Sequence, residues 1–216
     1  MTVLSLEELE KVRQAGKVVT LVHNAVEKEI VPGMTTKDID KIASRVIDEY
    51  GMQSSYHTFG VSVFVSVNDI VKNGIPDDTV LKEGDFFSLE VSICNDGYHC
   101  AATETYPVGR CSKERNEMVE VSEQCLDDAL DLIRNGVRAS DISHSIQMSI
   151  LNAGMSIPVE FSSHGIGKQA VQEPYIDNYG LAGRGPILRT GMVLAIEPIM
   201  IKGKRHIHFL NNELTA

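Results

Sequence analysis

The chain has 216 residues, 43% of them hydrophobic, which suits one globular domain or one built of two similar halves. Acidic residues outnumber basic ones, 30 to 20, for a formal net charge of −10. That balance argues against a nucleic-acid or anionic-membrane surface, since both need clustered Lys and Arg.

In chain order, Met1–Ser5 has no basic-then-apolar signal segment and runs straight into a charged helix. Ser5-Leu6-Glu7-Glu8 has the form of a capping box, and Leu9, Val12, Ala15, Val19, Val22 and Val26 then recur at helical spacing. Pro32-Gly33 ends this helix, and a second is expected from about Thr36 to Tyr50, stopping at Gly51. Val61, Val63, Val65 and Val67 alternate with Ser62, Phe64 and Ser66 and read as a strand. Asp77-Asp78 reads as a turn, and a further strand covers roughly Asp85 to Ile93. His99 beside Cys100 invites a nucleophile–base reading, but neighbours on a strand point to opposite faces. The other cysteines, Cys94, Cys111 and Cys125, also lack CxxC spacing, so reduced thiols in a cytoplasmic protein are expected. Helices follow over about Lys113–Arg134 and Ser140–Ala153. His206-Ile207-His208 would place two imidazoles on one face of a strand, among Lys202, Lys204 and Arg205. No apolar run approaches the ~20 residues of a membrane span.

The second half repeats the first. Val31–Ile39 lies alongside Arg134–Ile142, and Gly51-Met52 alongside Gly154-Met155, both at an offset of 103. Leu81–Glu90 lies alongside Leu188–Glu197 at an offset of 107. Gly and Asp coincide in the first alignment, and Gly and Glu in the second. We therefore expect a single domain over 1–216 made of two copies, approximately 1–108 and 109–216. The fold class is α+β. Its strands would join in an antiparallel sheet covered by helices, with a pseudo-twofold relation between Glu90 and Glu197. Both glutamates are expected in apolar strands, Phe86–Val91 and Val193–Pro198, where a buried carboxylate needs a cation, a donor or a metal.

The residues resemble a known family. Ser163-His164-Gly165-Ile166-Gly167 with Glu173-Pro174 is similar to the glycine-histidine-glycine-isoleucine-glycine stretch of bacterial methionine aminopeptidases. Ala195-Ile196-Glu197-Pro198 is similar to their isoleucine-glutamate-proline strand. Val65–Asp69, Gly74–Asp78, Leu81–Asp85 and Asp96–His99 match as well, so the resemblance covers nearly the whole chain. It implies the pita-bread fold.

The resemblance also implies a centre of two divalent metals held by two Asp, one His and two Glu, with a shared hydroxide that attacks the first peptide bond. Carried over by position, the first Asp becomes Glu90, which can ligate through a longer arm. The second becomes Ala101, which cannot. The His is kept as His164 and the first Glu as Glu197. The last Glu, with the family's final hairpin, would fall beyond Ala216. The two substrate-contacting histidines become Asn73 and Val171. Tyr56 and Phe59 stand where aromatics line the methionine pocket. Phe64 replaces a small residue there, and Ala170 replaces a Phe.

These departures put removal of an N-terminal Met in doubt. Glu90, His164 and Glu197 are the candidate catalytic and metal-ligating residues, for one Fe, Mn, Co or Zn ion or for none. Asn73, Tyr56, Phe59, Phe64 and Val171 are the candidate substrate-binding residues. The expected partner is a small molecule or a peptide N-terminus. Three outcomes stay open: an aminopeptidase on a reduced Glu/His/Glu site, an enzyme with other hydrolase or lyase chemistry, and a non-catalytic binding protein.

Overall fold

The computed structural model describes residues 1–210, 212 and 214–216. Its elements run α1 (Leu6–Glu29), α2 (Thr36–Glu49), β1 (Gln53–Ser54), a 3-10 turn (His57–Phe59), β2 (Phe64–Val67), β3 (Phe86–Asn95), β4 (Tyr98–Pro107), α3 (Lys113–Leu130), α4 (Ala139–Asn152), β5 (Ser162–Gly165), β6 (Gln172–Asp177) and β7 (Leu194–Ala195). The chain divides into two units. The first is Glu7–Asn116 with Lys168–Ala170 and His208–Ala216, and the second is Met1–Leu6, Glu117–Gly167 and Val171–Ile207. Among the described residues no helix is long and apolar enough to cross a membrane.

In the first unit β3 is the centre of an antiparallel sheet and pairs with β1, β2 and β4. Strand periodicity splits its side chains between two faces. Phe87, Leu89, Val91 and Ile93 turn inward and pack with Val18, Val22 and Val26 of α1 and Ile39, Ala43 and Ile47 of α2. Ser88, Glu90 and Ser92 alternate with them and turn to the opposite face. The expected strand over Val61–Val67 is shorter than its pattern, because the Ser62 and Val63 N–H groups donate to Asp40 Oδ1 (2.7 and 3.1 Å) rather than to a strand.

His23 of α1 is buried in this core, its Nδ1 3.0 Å from Tyr106 Oη. Burial holds its pKa below the ordinary value, against a smaller upward pull from Glu104. The unfolded chain therefore binds a proton more readily there. This contribution to stability is complete above about pH 6.5 and is lost as pH falls through the lowered folded pKa. Urea midpoints measured from pH 8 to pH 5 should fall, and the fall should be shallower in His23→Gln.

In the second unit Ile142, Ile146 and Ile150 of α4 pack against Cys125 and Ala129 of α3, Ile157, Ile176 and Leu188. Burial pushes the Cys125 thiol up to about 11, so it stays protonated. β5 lies between β6 and β7 in an antiparallel sheet. α3 ends at Leu130, short of Arg134, because the Leu132 and Ile133 N–H groups bond three residues back (3.3 and 2.9 Å).

Repeated residues make repeated contacts. Asp38 Oδ2 accepts from the Thr35 N–H (3.0 Å) and Asp141 Oδ2 from the Arg138 N–H (3.1 Å), each holding the start of a helix. The Gly33 N–H reaches Leu81 O (2.8 Å) and the Gly136 N–H reaches Leu188 O (2.9 Å). Both glycines have positive φ, 99° and 94°. Isolated bridges join Thr35 to Val80 and Arg138 to Ile187.

Candidate functional site

In the first unit the candidate residues gather on the polar face of β3. Glu90 stands opposite Phe64 of β2 and Thr103 of β4, while Ser92 stands opposite Ala101. Tyr56 is brought in by the turn before β2: its N–H donates to Ser54 Oγ (3.0 Å), and Gly60 (φ 75°) closes the 3-10 turn. The Tyr56 hydroxyl donates to Glu90 Oε1 at 2.5 Å. Its ring lies 4.2 Å from that of Phe64, which is 2% exposed, and Phe59 lies 5.7 Å from Phe64 on the outer side.

The other oxygen of Glu90 faces Lys72, with Nζ 4.0 Å from Oε2. Lys72 is the site residue that the sequence reading missed. The available signal was a lone lysine set in the apolar run Ile70-Val71-Lys72-Asn73-Gly74-Ile75, beside Asn73. Asn73 itself is committed to the fold, its side-chain amide donating to Leu214 O (3.1 Å) while its carbonyl accepts from Thr215 Oγ1 (2.9 Å).

Gly74 anchors this loop by bonding Ser66 Oγ through its N–H (3.1 Å) and the Val65 N–H through its carbonyl (2.7 Å). A Cβ at Gly74 would stand 2.2 Å from Val65 O, against backbone that has no room to yield. Gly74→Ala should destabilise the fold by about 1–3 kcal/mol, the range for overpacking. An unchanged urea midpoint would show that the loop sits elsewhere.

His99 turns to Ser55, with Nδ1 2.8 Å from Ser55 Oγ, and Ser92 Oγ lies 2.9 Å from the same hydroxyl. Its neighbour Cys100 packs against the apolar core of this unit, and burial raises its pKa. The two side chains make no nucleophile–base pair.

In the second unit His164 of β5 stands opposite Ala195 of β7, and Glu197 follows two residues later on the same side. Glu197 lies beyond the two-residue strand, not within it as expected, because its backbone is held by side chains. Its N–H donates to Ser163 Oγ and its carbonyl accepts from Asn178 Nδ2, both at 2.8 Å. Ser163 and Asn178 are wholly buried, and the sequence reading missed this clamp. His164 Nδ1 lies 2.9 Å from Gly165 O, and a carbonyl only accepts, so Nδ1 carries the proton. Nε2 then faces Glu197 Oε1 at 3.4 Å. Gly165 is required here, since a Cβ would meet Glu173 O at 2.5 Å. Val171 is 51% exposed. His206 and His208 are exposed and lie outside any strand, which removes the paired-imidazole arrangement.

Residues 10–214 match metallopeptidase family M24. The chain belongs to that family. Methionine aminopeptidase 1 of Bacillus subtilis is 40% identical over 212 residues, 97% of this chain and 86% of that protein. The methionine aminopeptidase of Escherichia coli strain K12 is 30% identical, over 97% of this chain and 81% of its own. A methionine aminopeptidase crystal structure from Thermotoga maritima superposes with a TM-score of 0.96 at 32% identity, covering 100% of this chain and 88% of the other. A prolidase from Pyrococcus furiosus, 19% identical, shares the fold with a TM-score of 0.81 over 93% of this chain and 58% of its own. The M24 chain described here therefore has the pita-bread fold.

Each unit can be tested for the metals that the family name implies. In the first, Glu90 is the carboxylate that the described residues bring to the donor face, Ala101 opposite Ser92 has no donor atom, and Lys72 already faces Glu90. In the second, His164 and Glu197 present a nitrogen and an oxygen to one region. Among the described residues neither unit gathers three His, Cys, Asp or Glu side chains closely enough to hold an ion.

Proposed function

We propose that this chain is a methionine-aminopeptidase-like protein working without the family's two-metal centre. It binds a peptide N-terminus or a small molecule, and it does not release Met at an aminopeptidase's rate. The observation that supports this reading most is Ala101. It stands opposite Ser92 on the face that carries Glu90, and a methyl group offers no ligand to either ion. Bridging carboxylates offset the repulsion between two dications, and Ala101 supplies none.

In this reading Glu90 is the polar binding residue of the first unit, with Tyr56, Phe59 and Phe64 as the apolar wall beside it and Asn73 adding no titrating group. Buried Phe64 reduces the room for a side chain as long as Met. His164 and Glu197 are the polar binding residues of the second unit, where Val171 adds no titrating group. The two-copy origin of the chain, its lack of nucleic-acid and membrane partners and a cytoplasmic location belong to the same proposal.

One observation favours a second reading. His164 Nε2 and Glu197 Oε1 face each other across 3.4 Å with the Nδ1 proton held by a carbonyl, the orientation of a metal-binding histidine. In that reading a single Fe, Mn, Co or Zn ion would be held by His164 and Glu197. The ion would polarise a carbonyl or a bound water. Without an ion, Glu197 or Glu90 would serve as general base and His164 as acid.

The test is Met release from a short Met-initiated peptide by chelator-free protein supplied in turn with Co, Mn, Fe and Zn. No release with any of them is expected. Release that depends on one ion and is lost in His164→Ala would replace the first reading with the second.

A further inference from the structure

Lys72 has no place in the family's metal chemistry as the resemblance describes it, yet its backbone is pinned on both sides. The Val71 and Lys72 N–H groups both donate to Ala216 O (2.6 and 3.1 Å), and the Ala216 N–H returns a bond to Lys72 O (3.1 Å). The next residue, Asn73, is fixed in a left-handed conformation (φ 58°) by Leu214 and Thr215. Gly74 then locks the loop to β2. The lysine thus leaves a pinned backbone toward Glu90, with its side chain 16% exposed and that of Glu90 14%.

We propose that the Lys72 ammonium supplies, inside the chain, the positive charge that a divalent ion would otherwise bring to Glu90, and that this ion pair excludes the ion. The inference rests on the metal-free reading above and goes beyond it, since it names what replaced the metal. Both carboxylate oxygens are engaged, Oε1 by the Tyr56 hydroxyl and Oε2 by the ammonium. A poorly exposed carboxylate needs such partners, because burying a charge without them is costly. A dication approaching Glu90 would have to displace a lysine whose backbone cannot retreat, and would meet its charge at short range. Two changes therefore act together. Ala101 removes a ligand, and Lys72 neutralises the ligand that remains, so restoring the ligand alone should not restore binding.

The experiment is Mn²⁺ binding by calorimetry and by manganese electron paramagnetic resonance on chelator-treated protein. It compares wild type, Ala101→Asp, Lys72→Met, the K72M/A101D double variant and the charge-keeping K72R/A101D. K72M/A101D should bind at least about tenfold more tightly than A101D, within the 10- to 100-fold by which partner residues move metal affinity. K72R/A101D should bind no better than A101D. K72Q/A101D gives a second uncharged route if K72M/A101D does not fold by circular dichroism. The proposal is overturned if A101D binds as tightly as the variants lacking the cation, or if K72R/A101D gains as much as they do. Wild type binding a full equivalent of Mn²⁺ would bring down the metal-free reading itself. Wild type binding none, with no gain from removing Lys72, would bring down only the role given to Lys72.

Discussion

Replacing Phe87 by Ala should lower the free energy of unfolding by about 3–5 kcal/mol, the cost of deleting a buried aromatic ring. Phe87 is fully buried in β3, pairs with Val67 and Tyr106 on the flanking strands, and lies 5.6 Å from the Tyr106 ring. The surroundings relax only partly around a missing ring, so a cavity would remain against α1 and α2. Whole-protein stabilities are about 5–15 kcal/mol, so this one change removes a large fraction. Urea unfolding followed by far-ultraviolet circular dichroism reads it directly, with Ile93→Val as a milder control at about 0.5–1.5 kcal/mol. A loss below 1 kcal/mol for Phe87→Ala would mean that the helices do not pack on β3 as described.

The second large effect concerns Met release. Relative to the Bacillus subtilis enzyme, kcat/KM should be lower by at least about 10³-fold, equivalent to about 4 kcal/mol of transition-state stabilisation. Ala101, Asn73 and Val171 each stand where the resemblance places a ligand or a histidine. Individual losses of that kind cost about 10- to 100-fold. Residues that act as one unit do not multiply their losses, so the lower end of the product is the sound expectation. Asn73 is no substitute for a base, because its amide is spent on Leu214 and carries no titrating proton. Turnover within tenfold of the relative, with any divalent ion, would contradict this.

The parts of the fold legible in the sequence are those where one residue type answers one local need. Gly33 and Gly136 adopt positive φ, and Asp38 and Asp141 hold helix starts, so the repeat can be read from spacing. The valine and leucine alternation of β3 marks its inner face for the same reason. His164 and Glu197 were legible from motif and lie 3.4 Å apart. Lys72 was not legible. Its place depends on Leu214–Ala216 returning to pair with Val71–Asn73, a contact between residues more than 140 positions apart. Ser163 and Asn178 escaped for the same reason: their role is to hold the backbone of Glu197, and backbone partners leave no pattern in sequence. The overlong strand at Val61 shows the converse, since Asp40 captured N–H groups that alternation alone assigned to a sheet.

The proposal that this chain works without the two-metal centre is tested most directly by elemental analysis. Protein purified without chelator, exposed to excess Mn²⁺ or Co²⁺ and desalted, should retain well under one metal ion per chain. Two ions per chain would contradict the account outright, and one would shift it to the single-ion site on His164 and Glu197.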